Sequence, residues 1–419
     1  MGNNITALQG FKDIVPADIA LWREVEECVR EVVGRFQCVE IRLPILEASE
    51  LFIRSIGEQT DIVEKEMYTF VDKKVTIRPE ATASLLRAYI EHRLHLSNPV
   101  QRFFTIGPMF RHERPQKGRL RQFHQADVEF LGSDNARVDA ELLAMGAMIF
   151  ALLAIPIRLE LNSLGCPVCR PPYRGVLVSF LQQRLDFLCE DCRRRSVTNP
   201  LRVLDCKKEK CRAQLDGAPA LLDYLCEPCR VHFTQVRTCA DGLGLDYHIN
   251  TAMVRGLDYY VRTTFEFVTD ELGSQAAVCA GGRYDGLIEM LGGGPVPGIG
   301  FALGLERTVL LLRKHRREAA PVRDLDLFIA ALGDDAAARC FTLMHTLRTA
   351  GLRVNMGSGS LKSQMKQADR AGAPLVIICG ENELAEGKVV LRDMATKQQE
   401  DVELQDNGIL LRLRQLLER

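Results

Sequence analysis

The stretch Phe110–Phe130, FRHERPQKGRLRQFHQADVEF, constrains the fold of this chain more than any other. Phe103-Phe104, Met109-Phe110 and Phe123 supply apolar bulk for two strands, and Pro115 to Gly118 has the chemistry of a loop joining an antiparallel pair. Side chains alternate faces along a strand. The pattern therefore predicts Arg111 and Glu113 together on one face of the first strand. It predicts Arg121, Phe123, Gln125, Asp127 and Glu129 together on one face of the second. Unpaired buried charge is costly, so such a face makes a poor core surface. It is either the floor of a pocket for a polar, charged ligand or a solvated hairpin face.

Ahead of the hairpin, Leu21, Val25, Cys28, Val29, Val32, Val33 and Phe36 recur at helical spacing behind Pro16, a good first-turn residue. Val39–Leu43 follows as a strand stopped by Pro44. The pair is an edge layer of one domain or a subunit interface. Lys74–Arg78 reads as a short strand, and Pro79-Glu80-Ala81-Thr82 opens a helix. A carboxylate in that first turn complements the helix dipole, or meets a ligand ammonium at the helix mouth. Beyond the hairpin a helix, Asn135–Ala154, and a strand, Ile157–Leu161, are expected.

Arg255-Gly256-Leu257-Asp258-Tyr259-Tyr260 precedes a strand at Thr263–Val268. Adjacent tyrosines on a strand point opposite ways, so at least one can enter a pocket. Two glycine-rich runs, Cys279–Tyr284 and Leu291–Gly304, match neither a Walker loop nor a convincing dinucleotide fingerprint. They let backbone approach a planar ligand. Leu303–Leu312 continues as a helix, in which Arg307 faces solvent or, if turned toward the glycines, a phosphate.

The chain has 419 residues, room for two or three domains, and a formal net charge of −1, which argues against coating nucleic acid indiscriminately. No apolar run reaches the length of a membrane span and the N-terminus carries no apolar signal-like segment, so a soluble cytoplasmic protein is expected. Of fourteen cysteines, eight fall in pairs between positions 166 and 229. In a cytosolic chain such pairs point to metal before disulfides. Cys166 and Cys169 with Cys189 and Cys192 approach the spacing of a zinc site, and Cys206 and Cys211 with Cys226 and Cys229 could form a second. The alternative is empty, reduced thiols. Helices are expected at Tyr173–Leu188 and at Pro219–Val236, the latter broken at Pro228.

Residues His315–Arg323 read as a linker. Strands Leu325–Ala331, Arg353–Met356, Leu375–Cys379 and Lys388–Arg392 then alternate with helices Asp334–Ala350, Leu361–Ala371 and Asn407–Leu417. That alternation predicts a separate α/β domain with a mainly parallel sheet. Lys362, Lys366 and Arg370 recur at four-residue spacing, as a solvated face or as contacts to backbone phosphates.

Together these segments resemble the bacterial histidyl-tRNA synthetases, which are class II aminoacyl-tRNA synthetases. The resemblance rests on FKDIVP, IGEQTDIVEKEMYTF, RPEATA, FRHERPQKGRLRQFHQ, RGLDYYVRT, AGGRYDGL and GIGFALGLER, with Ala81 standing where the family motif has Gly. It implies an α+β catalytic domain of the class II synthetase fold, with a mixed, mostly antiparallel sheet, over residues 1–162 and 246–318. It implies an inserted Cys-rich module at 163–245 and a C-terminal α/β anticodon-binding domain at 325–419. The implied reaction joins histidine to ATP, supplied as its Mg2+ complex, and then passes the acyl group of histidyl-adenylate to the 3′ end of tRNA(His). A homodimer built on the first helix and strand is implied as well, while the resemblance does not say whether the cysteines hold zinc.

By the same resemblance Arg111 and Arg255 are the catalytic cations. Arg111, Glu113, Arg119, Arg121 and Arg307 hold ATP. Glu80, Ala81, Thr82, Gln125, Glu129, Arg255, Tyr259 and Tyr260 hold histidine, and Glu113, Arg114, Gln116 and Lys117 meet the tRNA acceptor end. The competing reading is a non-catalytic paralogue, serving as a regulatory subunit of histidine biosynthesis or as an RNA- or histidine-sensing module. The intact set of Arg111, Arg255, Arg307 and Glu80 argues against it.

Overall fold

In the computed structural model, which describes residues 5–57, 60, 62–257, 259–273, 277–316 and 325–417, Gln101–Phe110 and Gln122–Leu131 pair antiparallel. The register runs from Gln101 opposite Leu131 to Phe110 opposite Gln122. The connecting loop is longer than the Pro/Gly signal predicts. It spans residues 111–121, so Arg111, Glu113 and Arg121 lie beyond the strands rather than on them. Strand pairing stops there because Arg121 N–H turns away to the Gly10 carbonyl at 2.8 Å.

This hairpin belongs to an eight-stranded sheet ordered Val39–Glu40, Gln101–Phe110, Gln122–Leu131, Gly298–Gly304, Ala277–Arg283, Val261–Val268, Arg158–Ser163 and Tyr247–Ile249. The two outermost pairings are parallel, and the five between them antiparallel. Helices Pro16–Arg35, Ala136–Leu152, Glu227–Gly242 and Leu305–His315 supply the core that covers one face. The valines at 25, 29, 32 and 33 are all buried there, as their spacing requires. Each such burial contributes about 1.5–3 kcal/mol. The opposite face carries the cavity described below.

Between Arg158–Ser163 and Tyr247–Ile249 the chain makes short helices, among them Arg170–Gln182, Glu190–Thr198 and Glu227–Gly242. Pro228 does not break the last of these. It occupies the first turn, where its missing N–H costs nothing. Tyr173, Leu177, Leu181 and Val203 from this region share one core with Leu85, Leu86 and Tyr89.

The chain divides into two units, Met1–Arg317 and Glu318–Arg419. Most of the expected linker, residues 317–323, lies outside the described residues. In the second unit the strand order is Val354–Met356, Leu327–Ala331, Leu375–Cys379, Lys388–Asp393 and Gln399–Glu403. The first two pairings are parallel and the last two antiparallel, so the sheet is mixed rather than mainly parallel. The antiparallel extension turns at Asp393, whose Oδ1 accepts the N–H groups of Ala395 and Thr396 at 2.9 and 2.8 Å. Its edge strand, QEDVE, is too polar to show an apolar alternation. Lys362, Lys366 and Arg370 are exposed, while Gln364 and Ala368 of the same helix are buried.

Candidate active site

Alternation along Gln122–Leu131 divides two environments. Ala126, Val128 and Phe130 enter the core, and Gln125, Asp127 and Glu129 line a cavity of about 290 Å³ on the other face. Asp127 and Glu129 are each 1 % exposed, which rules out a solvated hairpin face. The neighbouring strand makes room for them. Gly304, Ala302 and Gly300 stand opposite Gln125, Asp127 and Glu129. A β carbon on Gly300 would sit 1.7 Å from Glu129 Oε2.

Glu129 accepts a hydrogen bond from the Thr82 hydroxyl at 2.6 Å and another from the Tyr284 hydroxyl. Burial pushes its carboxyl up to about 8, against the pull of those two donors. Tyr259 and Tyr260 complete the wall, with ring centroids 4.7 Å apart, and Tyr259 meets Tyr284 edge-on at 5.9 Å. Both tyrosines line the cavity because this segment is irregular and the strand begins only at Val261, so the alternation argument does not apply to them. Glu80 lines the cavity too, but its carboxylate accepts the N–H groups of Thr82 at 2.8 Å and Ala83 at 2.9 Å. It therefore fastens the start of helix Thr82–Glu91 as well.

Arg255 lines the cavity as well. Its guanidinium pairs with Glu266 and lies 5.2 Å from the Tyr260 ring centroid. Burial opposes the charge, but Tyr260 and Glu266 hold the group firmly ionised. Its Nε, Gln125 Oε1 and Asp127 Oδ2 are buried with no hydrogen-bond partner among the described residues. Polar atoms left in that state ask for a polar ligand.

The other end is cationic. Arg111 donates Nε to the Pro79 carbonyl at 2.9 Å and lies 5.3 Å over the Phe123 ring. Arg119 pairs with Glu113, which Arg111 also approaches at 4.0 Å. Arg307 donates Nε to the Gly118 carbonyl at 2.9 Å and a second nitrogen to the Ala277 carbonyl. Burial, then the charges of Arg119 and Arg111, push its pKa down to about 10. Arg111 and Arg119 thus meet one buried carboxylate, and Arg307 lies near enough to feel both of their charges. Such a cluster of guanidiniums fits a polyanion.

Two of the residues expected to hold ATP or histidine do not line the cavity. Arg121 donates to the carbonyls of Glu113 and Gln9, at 3.2 and 3.3 Å, and does not line the cavity. Ala81 is buried at the helix start, behind the lining. Arg114, Gln116 and Lys117 are exposed on the loop, where Gln116 and Arg119 close a tight turn, and Glu113 instead turns into the cavity. The sequence reading also missed roles. Tyr284 figures there only at the end of a glycine-rich run and within AGGRYDGL, and Asp127 only as a face residue, yet both line the cavity. Glu266, which orients Arg255, had no sequence signal.

The eight paired cysteines form two groups of four, but not the expected ones. Cys166 and Cys169 meet Cys226 and Cys229, and Cys189 and Cys192 meet Cys206 and Cys211. The first and last pairs enclose the middle two because Cys166 and Cys169 follow strand Arg158–Ser163, and Cys226 and Cys229 open the helix Glu227–Gly242 that crosses back to the parallel strand Tyr247–Ile249, while sequence spacing registers only local distance. Within each group every sulfur lies within 4.8 Å of the others, and Cys166 Sγ is 3.6 and 3.7 Å from those of Cys169 and Cys226. Four thiolates around one tetrahedral zinc would stand about 3.8 Å apart. Each group also has a backbone N–H donating to sulfur at 3.1 Å, Cys226 to Cys169 and Cys189 to Cys211. The donor set and its spacing fit a single metal ion in each group.

Comparison with known proteins bears on the whole chain. A family model described as Histidyl-tRNA synthetase matches residues 10–166 and 197–308, and one described as Anticodon binding domain matches 326–408. A histidine–tRNA ligase of Desulfotalea psychrophila is 59 % identical over 404 residues, covering 96 % of this chain and 94 % of that one. A histidine–tRNA ligase of Geobacter metallireducens is 52 % identical, covering 97 % and 98 %. The crystal structure of apo S. aureus histidyl-tRNA synthetase is 36 % identical, with a TM-score of 0.81 over 98 % of this chain and 100 % of that one. The mixed sheet, the anticodon-binding unit and relatives matched end to end lead to one assignment: this chain belongs to the histidyl-tRNA synthetase family.

Proposed function

We propose that this cavity binds histidine and ATP, joins them as histidyl-adenylate with release of pyrophosphate, and transfers the histidyl group to the 3′ end of tRNA(His). One observation carries the reading: Arg111, Arg119 and Arg307 sit at one end of a cavity whose other end is built from Glu129, Thr82, Tyr284, Tyr259 and Tyr260. The first end suits a triphosphate and the second a small polar ring. A carboxyl near 8, fixed between two hydroxyls, presents lone pairs to an imidazole N–H. Arg255 is placed to hold the amino-acid carboxylate against the α-phosphate. Charge builds there as the carboxylate oxygen attacks and pyrophosphate leaves, with Arg111 on the same phosphate. Positioning and charge stabilisation suffice for this step, so no protein nucleophile is needed. Gln125, Glu80 and Asp127 offer acceptors for the ammonium group.

Magnesium enters with ATP as part of the substrate. The thiol groups would each hold one structural zinc, bracing a region of short helices. The exposed Arg114, Gln116 and Lys117 are available to the tRNA acceptor end, and the second unit to the anticodon. Val39, Ile45 and Leu46, exposed by 61, 44 and 53 % beside the sheet's edge strand, support a homodimer through that edge. Among the described residues no helix is long and apolar enough to cross a membrane, consistent with work in the cytoplasm. Relatives matched nearly end to end are named ligases, which disfavours the regulatory-subunit reading.

The deciding experiment is ATP–pyrophosphate exchange with each amino acid supplied alone. Histidine only is expected to support exchange. No exchange with histidine, or equal exchange with another amino acid, would overturn the assignment.

A further inference from the structure

The segment Arg255–Tyr260 carries cavity-lining side chains, among them Arg255, Tyr259 and Tyr260, and none of its described residues lies in a helix or strand. It has no ladder of its own to set its position, so its accuracy must come from what grips it. Two arginines of the cysteine-rich region do so. Arg202, in the turn Pro200–Val203 shortly before Cys206, donates Nη1 to the Arg255 carbonyl at 2.9 Å. A β carbon on Gly256 would stand 3.5 Å from the same nitrogen. Arg170, directly after Cys169, donates to the Tyr260 carbonyl and, through Nε, to the Leu164 carbonyl at 3.2 Å. Each end of the segment is thus held by a guanidinium, one beside each four-thiol group. Hydrogen bonds from charged donors are about twice as strong as neutral ones. The polyphosphate end is built differently. Arg111 and Arg119 come from the hairpin loop, and Arg307 from helix Leu305–His315.

We infer that Arg170 and Arg202 are positioning residues for histidine, and that metal bound by the adjoining thiol groups fixes them, so that metal loading of this region sets affinity for the amino acid and not for ATP. The inference rests on the functional reading above. Without metal, four thiols brought together have no common ligand to hold Cys169 and Cys206 in place. The arginines beside them are then held less firmly, and the Arg255–Tyr260 segment with them.

The test uses full-length protein purified without chelators. Pyrophosphate exchange is measured with histidine and ATP varied separately for the parent, Arg202→Ala, Arg202→Lys and Arg170→Ala. Either alanine variant is expected to raise KM for histidine about tenfold or more, with KM for ATP within about twofold of the parent. Arg202→Lys should recover part of the loss, since it keeps a charged donor. Calorimetric titration of histidine is run alongside metal analysis, before and after zinc removal by a chelator. Two zinc ions per chain are expected, matching the two thiol groups, and their removal should weaken histidine binding. Equal rises in both KM values, or unchanged values, with histidine-dependent exchange intact in the parent, would overturn the positioning role. Zinc release that leaves histidine affinity unchanged would overturn the metal link. A parent protein with no histidine-dependent exchange would instead overturn the functional reading.

Discussion

Two regions of the larger unit bury arginine, and they treat it in opposite ways. Arg283 is wholly buried. Its Nε lies 3.1 Å from both Asp139 oxygens, and its other nitrogens reach Asp285 at 3.2 Å and the Ser133 carbonyl at 3.0 Å. Every charge there has a partner inside the protein, and the pair fastens helix Ala136–Leu152 to the sheet. At the cavity, Arg111 and Arg119 share the carboxylate of Glu113, Arg111 and Arg307 also draw on backbone carbonyls, and the charges of Arg119 and Arg111 bear on Arg307. The first arrangement serves the fold. The second sets guanidiniums close enough to repel one another, a cost that a bound polyphosphate would offset. Burial alone does not separate structural from functional arginines; the balance of partners does.

The sharpest way to break this contrast is to truncate an arginine in each region. Arg283→Ala strands Asp139, and breaking a buried pair costs about 3–5 kcal/mol, so melting should fall by about 10 °C or the protein should fail to accumulate. Arg307→Ala or Arg111→Ala should leave melting within about 3 °C of the parent and cut pyrophosphate exchange about 100-fold or more. Equal melting losses in the two regions would erase the distinction. Glu129 supplies a smaller test, being a buried acid held only by neutral donors. Its carboxyl sits at about 8 when folded, against an ordinary 4.5. Below about pH 4.5 both states are protonated. From there to about 8 the unfolded chain ionises first, so folding loses stability as pH rises. Glu129→Gln should therefore melt higher than the parent by a margin that grows between pH 5 and pH 8. A margin independent of pH would show that the carboxyl is not held neutral. The smallest effect is expected from inorganic triphosphate, which should raise melting by about 1–3 °C in the parent and leave Arg307→Ala unmoved.

What could be read in advance depended on whether a residue's partner was near in sequence. The valines of helix Pro16–Arg35 announce themselves, because the period that makes the helix also buries them. Gln125 and Glu129 were legible by alternation along their strand. Arg121 was misplaced because alternation was carried past the point where the backbone turns to bond Gly10. Tyr284 was invisible in its role, since it meets Glu129 across 155 residues. The cysteines show the same limit. Spacing revealed four pairs, but which pairs meet is decided by the helix that Cys226 and Cys229 open on its way back to the sheet.

That nested wiring also orders events during synthesis. Cys189 and Cys211 are 22 residues apart, so the inner set can gather as soon as its own stretch of chain exists. Cys166 must wait for Cys226, 60 residues later, at the head of a helix that contributes Phe233, Val236 and Ala240 to the main core. The outer set therefore cannot close until the whole excursion between its two pairs has been made.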